Sequence, residues 1–133
     1  MMNLKKTALA AFLIFVLWTL MDFVIHGLIL AETYLRLVPL IRAPAEMKLA
    51  VVNLVMAVNV LCFVGIYTAW IGGKSPKRAL SYAGVYGLAS GVTMGLGTYA
   101  AIPIPQVLAW GWFLGYWLEC IAAGGILAWL VKE

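Results

Sequence analysis

Apolar residues run almost unbroken through four stretches of the chain, about 7–31, 49–71, 79–101 and 107–131, with polar and turn-forming residues between them. Each stretch is close to the roughly 20 residues that a helix rising about 1.5 Å per residue needs to cross a hydrocarbon layer about 30 Å thick. The breaks are a mixed segment from Glu32 to Lys48, a turn from Gly72 to Arg78, and a short turn from Ile102 to Gln106 rich in proline. Gly, Pro and Ser in these places are ordinary helix-stop signals. None of the stretches shows the two-residue alternation of a membrane β-strand, and unpaired backbone groups are too costly in lipid for any other spanning form. The pattern predicts an all-α, four-transmembrane-helix bundle, up-down-up-down, as a single membrane domain over 1–133 with an outer loop at 32–48.

Composition points the same way. Of the 133 residues, 65% are hydrophobic and 11% charged, against about 25% charged in ordinary soluble domains, and the mean hydropathy is +1.03. A small domain leaves much of its surface in contact with solvent, so this excess of apolar side chains calls for an apolar solvent outside the protein as well as inside. The lipid bilayer is therefore the first expected partner.

Basic residues near the ends of the stretches predict orientation, since Lys and Arg are retained on the cytoplasmic side. Lys5, Lys6, Lys74, Lys77, Arg78 and Lys132 would share one side, and Arg36, Arg42 and Lys48 the other. Both termini are accordingly expected to be cytoplasmic. The net charge of +4 fits that bias, and no basic stripe with interleaved polar groups suggests nucleic acid. Lys5 and Lys6 followed by an apolar run imitate a signal peptide, but the run is long and lacks a small-x-small cleavage site, which favours a retained anchor. A bacterial inner (plasma) membrane is the expected, multi-pass location.

Three ionisable residues fall inside the apolar stretches: Asp22, His26 and Glu119. Such groups are expensive in a membrane and are functional-site candidates by default. Asp22 and His26 stand at i, i+4 and should share one helix face. Counted from the outer ends, Asp22 lies about nine residues in and Glu119 about twelve, roughly one helical turn apart in depth, with Asn59 and Thr93 near the same level. Such a stratum could hold a divalent metal, relay protons or grip a polar ligand, or form a hydrogen-bonded cluster that fixes helix packing. A lone histidine is thin for a metal, and haem would need a second axial ligand from a homodimer or from Met21 or Met94. The identities of any metal and any cofactor stay open.

Gly87, Gly91 and Gly95 form a double small-xxx-small ridge that lets another helix approach closely, with Gly111, Gly115 or the run Ala122 to Gly125 as its expected mates in the last helix. Cys62 and Cys120 are expected at one depth as small apolar fillers, because no CxxC exists. Trp70, Trp110, Trp112 and Trp129 match interfacial belts, with Trp18 and Trp117 deeper. The outer loop, with Glu32, Arg36 and Arg42 and an amphipathic run from Tyr34 to Ile41, offers the main partner surface outside lipid. No Ser-His-Asp set, HExxH or phosphate loop is present, so an enzyme is not expected.

The run from Trp18 to Lys48, with Asp22, His26 and Gly27 in a DxxxHG element, Arg42 to Pro44, and Glu46-Met47-Lys48 after it, resembles an uncharacterised family of small bacterial four-helix integral membrane proteins. That resemblance implies the architecture and assigns no activity. Small multidrug-resistance exporters share four helices and a membrane carboxylate, but the charge asymmetry and the longer first loop here argue against dual topology. Two classes of function remain. The first, slightly favoured by the small size, is a non-catalytic accessory or interaction subunit of a larger membrane complex, bound to a membrane-protein partner or a homo-oligomer. The alternative is a carrier or binding protein for a proton, metal ion or small ligand at the Asp22, His26, Glu119 cluster.

Overall fold

The computed structural model describes residues 3–132. The termini Met1 and Glu133, on whose side of the membrane the expected orientation turns, lie outside the described residues. Among those residues the chain is all-helical. Helix α1 spans Leu4–Asp22 and continues without a break through a π-helical segment, Phe23–Ile29. A short α2 covers Ala31–Leu35, and a single 3-10 turn covers Pro44–Glu46. Helix α3 is Leu49–Trp70. Helix α4, Pro76–Val92, runs on through a second π-helical segment, Thr93–Gly97, into α5, Thr98–Ala101. Helix α6 is Gln106–Leu130.

Local chemistry sets these boundaries. The Asn3 side chain accepts from the Lys6 amide at 3.2 Å and caps α1, and Ser75 accepts from the Arg78 amide at 3.3 Å with Pro76 in the first turn of α4. Such caps satisfy amides left unpaired by the helix, and proline there loses no bond. The predicted start at residue 79 is therefore three residues late. Between α3 and α4, Gly73 takes φ +60, a conformation that glycine adopts without steric cost, and the Arg78 guanidinium closes the turn on the Gly72 carbonyl.

Among the described residues, three helices, Leu4–Ile29, Leu49–Trp70 and Gln106–Leu130, are long and apolar enough to cross a membrane. The predicted third stretch, 79–101, is helical throughout. It is less apolar because its glycines, with Ser81 and Ser90, dilute the hydropathy.

Outward-facing surface is strongly apolar: Phe12, Leu61, Trp70 and Leu118 are all more than half exposed. The interior is a narrow seam. Helix α4 packs most extensively on α6, and α1 packs on α6 and α3. The glycine ridge is spent inside this chain. A Cβ at Gly87 would lie 2.6 Å from the Cys120 Cβ, one at Gly91 would lie 2.8 Å from the Phe113 carbonyl oxygen, and Gly95 sits against Ala109 and Phe113. From the other side, Gly124 abuts Ala83. Gly111 and Gly115 are not the mates of this ridge. They admit Leu30 and Ile25 of the first helical run, because they occupy a different face of α6.

Ala10, Ile14 and Trp18 are fully buried along α1. Trp18 meets Phe63 edge to face with centroids 5.4 Å apart, and its indole N–H donates to the Glu119 carbonyl oxygen at 2.8 Å. Below it, Phe63, Tyr82 and Tyr86 form a continuous aromatic cluster. A second, smaller core joins Leu30, Ile104 and Leu108, with Tyr34, Leu37, Ile41 and Trp112 packed on it. The amphipathic run from Tyr34 to Ile41 thus turns its apolar side onto its own chain.

Candidate functional site

The four-residue spacing of the buried Ala10, Ile14 and Trp18 continues to Asp22 and His26, both partly exposed, and to the buried Leu30. In an α-helix, steps of four overshoot a full turn by about 40°. The π-helical segment after Asp22, whose wider turns counter that drift, closes with Leu30 N–H donating to the Ile25 carbonyl oxygen at 2.9 Å. π-segments of this kind are frequent at functional sites, and here one carries His26 just after Asp22 at the cavity rim.

A cavity of about 420 Å³ opens beside that stripe, between the first helix, the N-terminal half of α3 and the middle of α6. It exists because α3 is buried only from Val60 onward. Its first turns are exposed, and Val51, Val52, Val55 and Met56 form one wall. Met94, in the second π-helical segment, lines another side. Polar atoms enter from Asp22, His26, Tyr34, Asn59, Tyr116 and Glu119.

One connected relay runs along the rim. The Trp112 indole N–H donates to the Tyr34 hydroxyl oxygen at 2.6 Å, and that hydroxyl lies 2.6 Å from His26 Nδ1. His26 Nε2 is 3.4 Å from Asp22 Oδ1. With Trp112 always a donor, the assignment that satisfies each group has Tyr34 donating to His26 Nδ1 and Nε2–H facing Asp22. Burial raises the Tyr34 phenol above its ordinary value, the Trp112 hydrogen bond works against this, and the Asp22 charge adds to it. The phenol is thereby held as the donor the relay needs. Replacing Tyr34 with Phe should cost roughly 1–2 kcal/mol, because Trp112 and His26 both lose their partner. A drop of several degrees in the melting temperature of the purified protein would register it, and an unchanged melting temperature would show that the relay contributes nothing.

Glu119 occupies the inner end. It is only 3% exposed, its Oε1 has no hydrogen-bond partner among the described residues, and its carboxyl lies close enough to Asp22 for the two to interact. A buried acceptor left without a partner costs about 1–3 kcal/mol, so it needs an explanation. Tyr116, one turn before it, donates to Asn59 Oδ1 at 3.3 Å, and Asn59 Nδ2 donates back to Val55.

The structure brings Asp22, His26, Glu119 and Asn59 to one cavity. Thr93 does not reach it: that side chain is exposed and its hydroxyl donates to the Ala89 carbonyl at 2.8 Å, since counting depth along a helix does not fix azimuth. Among the described residues, no group of three His, Cys, Asp or Glu side chains converges as a metal cluster. Asp22 and His26 stand at the rim with Tyr34, whereas Glu119 lies at the back. Cys62 is exposed and Cys120 is buried against Gly87, and both are free. In the loop, Glu32 and Arg36 form an exposed ion pair and Arg42 is exposed.

Sequence reasoning passed over Tyr34, Trp112 and Tyr116. A signal for two of them was present, because Trp112, Tyr116 and Glu119 stand at i, i+4, i+7 and share a helix face. Tyr34 follows a change of helix type and has no such signature. Comparison of the chain with protein-family models, with curated proteins and with solved structures found no match.

Proposed function

We propose that this chain is a small bacterial inner-membrane protein that crosses the bilayer four times, termini inward, and binds or carries a small ligand in the cavity between its first, second and last crossings. The remaining crossing in this reading is the unbroken helical run from Pro76 to Ala101, whose Gly87, Gly91 and Gly95 are covered by α6 and which exposes Val85 and Leu88. The excess of basic residues at the Lys5, Lys74 to Arg78 and Lys132 ends supports the orientation.

The carrying observation is Glu119, a carboxyl buried at the back of a cavity with one oxygen unpartnered. A cluster that merely glued helices together would satisfy its own members. The cavity's volume falls in the range of about 300–1,000 Å³ usual for small-molecule sites, with mostly apolar walls and a few converging polar groups. The accessory-subunit reading gains no contact surface from the glycine ridge, which α6 covers within the chain. It keeps the loop with Glu32, Arg36 and Arg42.

A native mass spectrum of the protein extracted gently from its own membrane tests the choice. The expected result is a one-to-one adduct of a small molecule on the wild-type chain. The Asp22→Asn, Glu119→Gln double variant should lack it while keeping its melting temperature. Extra protein subunits at fixed stoichiometry with an empty cavity would instead establish the accessory role. A double variant that loses stability, with no adduct in the parent, would make the cluster structural.

A further inference from the structure

Resting on that binding site, we infer that its ligand is a small lipophilic amine, bound as the ammonium with its polar end at Glu119 and Asp22 and its apolar end along the first turns of α3. A count of donors and acceptors carries the inference. Most of the donors on the cavity walls are already engaged within the protein, including one of the two N–H groups of Asn59 Nδ2. Trp18 N–H is held by the Glu119 backbone, Trp112 N–H by Tyr34, Tyr116 O–H by Asn59, and Asn59 Nδ2 by Val55. Tyr34 O–H is taken by His26.

What remains unspent is chiefly acceptor capacity: Glu119 Oε1, which has no partner among the described residues, beside the Asp22 carboxyl, which His26 approaches at 3.4 Å and which also meets the Glu119 carboxyl. A ligand that fits must therefore bring hydrogen-bond donors. An ammonium brings three and no acceptor. No Lys or Arg is among the residues lining the cavity, so an anionic headgroup would meet two carboxyls with nothing to offset them.

The walls add to this selection. Trp18 and Tyr116, with centroids 6.0 Å apart, line the cavity together with Glu119, and aromatic faces attract cations. Val51, Val52 and Val55 are exposed as well as cavity-lining, so the apolar end of the ligand has a way in from the side, between the first helix and α3.

Three probes with one alkyl chain and different ends separate the possibilities: octylammonium, 1-octanol and octanoate, titrated at pH 7 into the full-length protein in phosphatidylcholine nanodiscs. Empty nanodiscs serve as the blank and tryptophan fluorescence as the signal. Octylammonium should bind at least about tenfold tighter than octanol, and octanoate should bind weakest, in line with the strength of a hydrogen bond to a charged group. Glu119→Gln should lower octylammonium affinity about tenfold and leave octanol unchanged. Asp22→Asn, at the half-exposed rim, repeats the test if the first variant folds poorly. Equal binding of amine and alcohol, or a preference for octanoate, overturns the amine assignment and leaves a binding site of another class. Binding of none of the three overturns the amine assignment together with the site.

Discussion

Valine at position 95 is expected to lower the melting temperature of the purified protein by roughly 10 °C or more, the largest loss of any single methyl-bearing replacement on the glycine ridge. Most of what a new side chain at Gly95 would strike is main chain. Its Cβ falls on the Ala109 carbonyl oxygen, 2.9 Å from the Phe113 amide nitrogen and 2.9 Å from the Phe113 Cβ. A rotamer change cannot clear backbone atoms, so α4 and α6 must separate. Overpacking of a tight interior costs about 1–3 kcal/mol and sometimes more. A domain of this size loses a few degrees per kcal/mol. Gly84, one turn before the ridge begins, has open space within 4 Å of where a Cβ would stand, so Gly84→Ala should leave the melting temperature unchanged or raise it slightly, as alanine restricts the unfolded chain. Equal effects at the two positions would show that the α4 and α6 contact is not the seam that holds the bundle.

That contrast marks how far the sequence could be read. The four apolar stretches and the turns between them were legible, because length, hydropathy and Gly or Pro punctuation depend on local composition. The small-xxx-small spacing of Gly87, Gly91 and Gly95 foretold a close contact with the last helix but not which of that helix's residues would meet it. Gly111 and Gly115 carry the same spacing, yet they receive Leu30 and Ile25, and only the azimuth of α6 decides this.

The candidate site divides in the same manner. Asp22, His26 and Glu119 were visible as ionisable residues in apolar surroundings, and their gathering was expected from depth alone. Thr93 met the same depth criterion and faces outward, since depth is one coordinate and a site needs three. Two further features had no local signature. One is the π-helical segment that carries His26 at the cavity rim. The other is the exposure of the first turns of α3, where Val52 and Val55 line a cavity and not a packed core.

Exchanging Glu119 for Met should separate the needs of folding from those of binding. An apolar side chain of similar length removes a buried carboxyl whose Oε1 has no partner among the described residues and fills the same space. Replacing unsatisfied buried polar groups by apolar ones of like shape is neutral or stabilising. The melting temperature should hold or rise, with a gain of up to about 1–3 kcal/mol. The Trp18 indole keeps its bond, because it reaches the backbone carbonyl of residue 119 and not the side chain. The native adduct should disappear, and octylammonium affinity should fall to that of octanol. Sites that bind polar ligands hold groups the fold alone would not choose, and removing them commonly raises stability at the expense of function. Thermal unfolding and native mass spectrometry on the same preparation read both effects. A variant that loses several degrees would reveal that the Glu119 carboxyl is bonded within the fold, which would remove the reason for assigning it to a ligand.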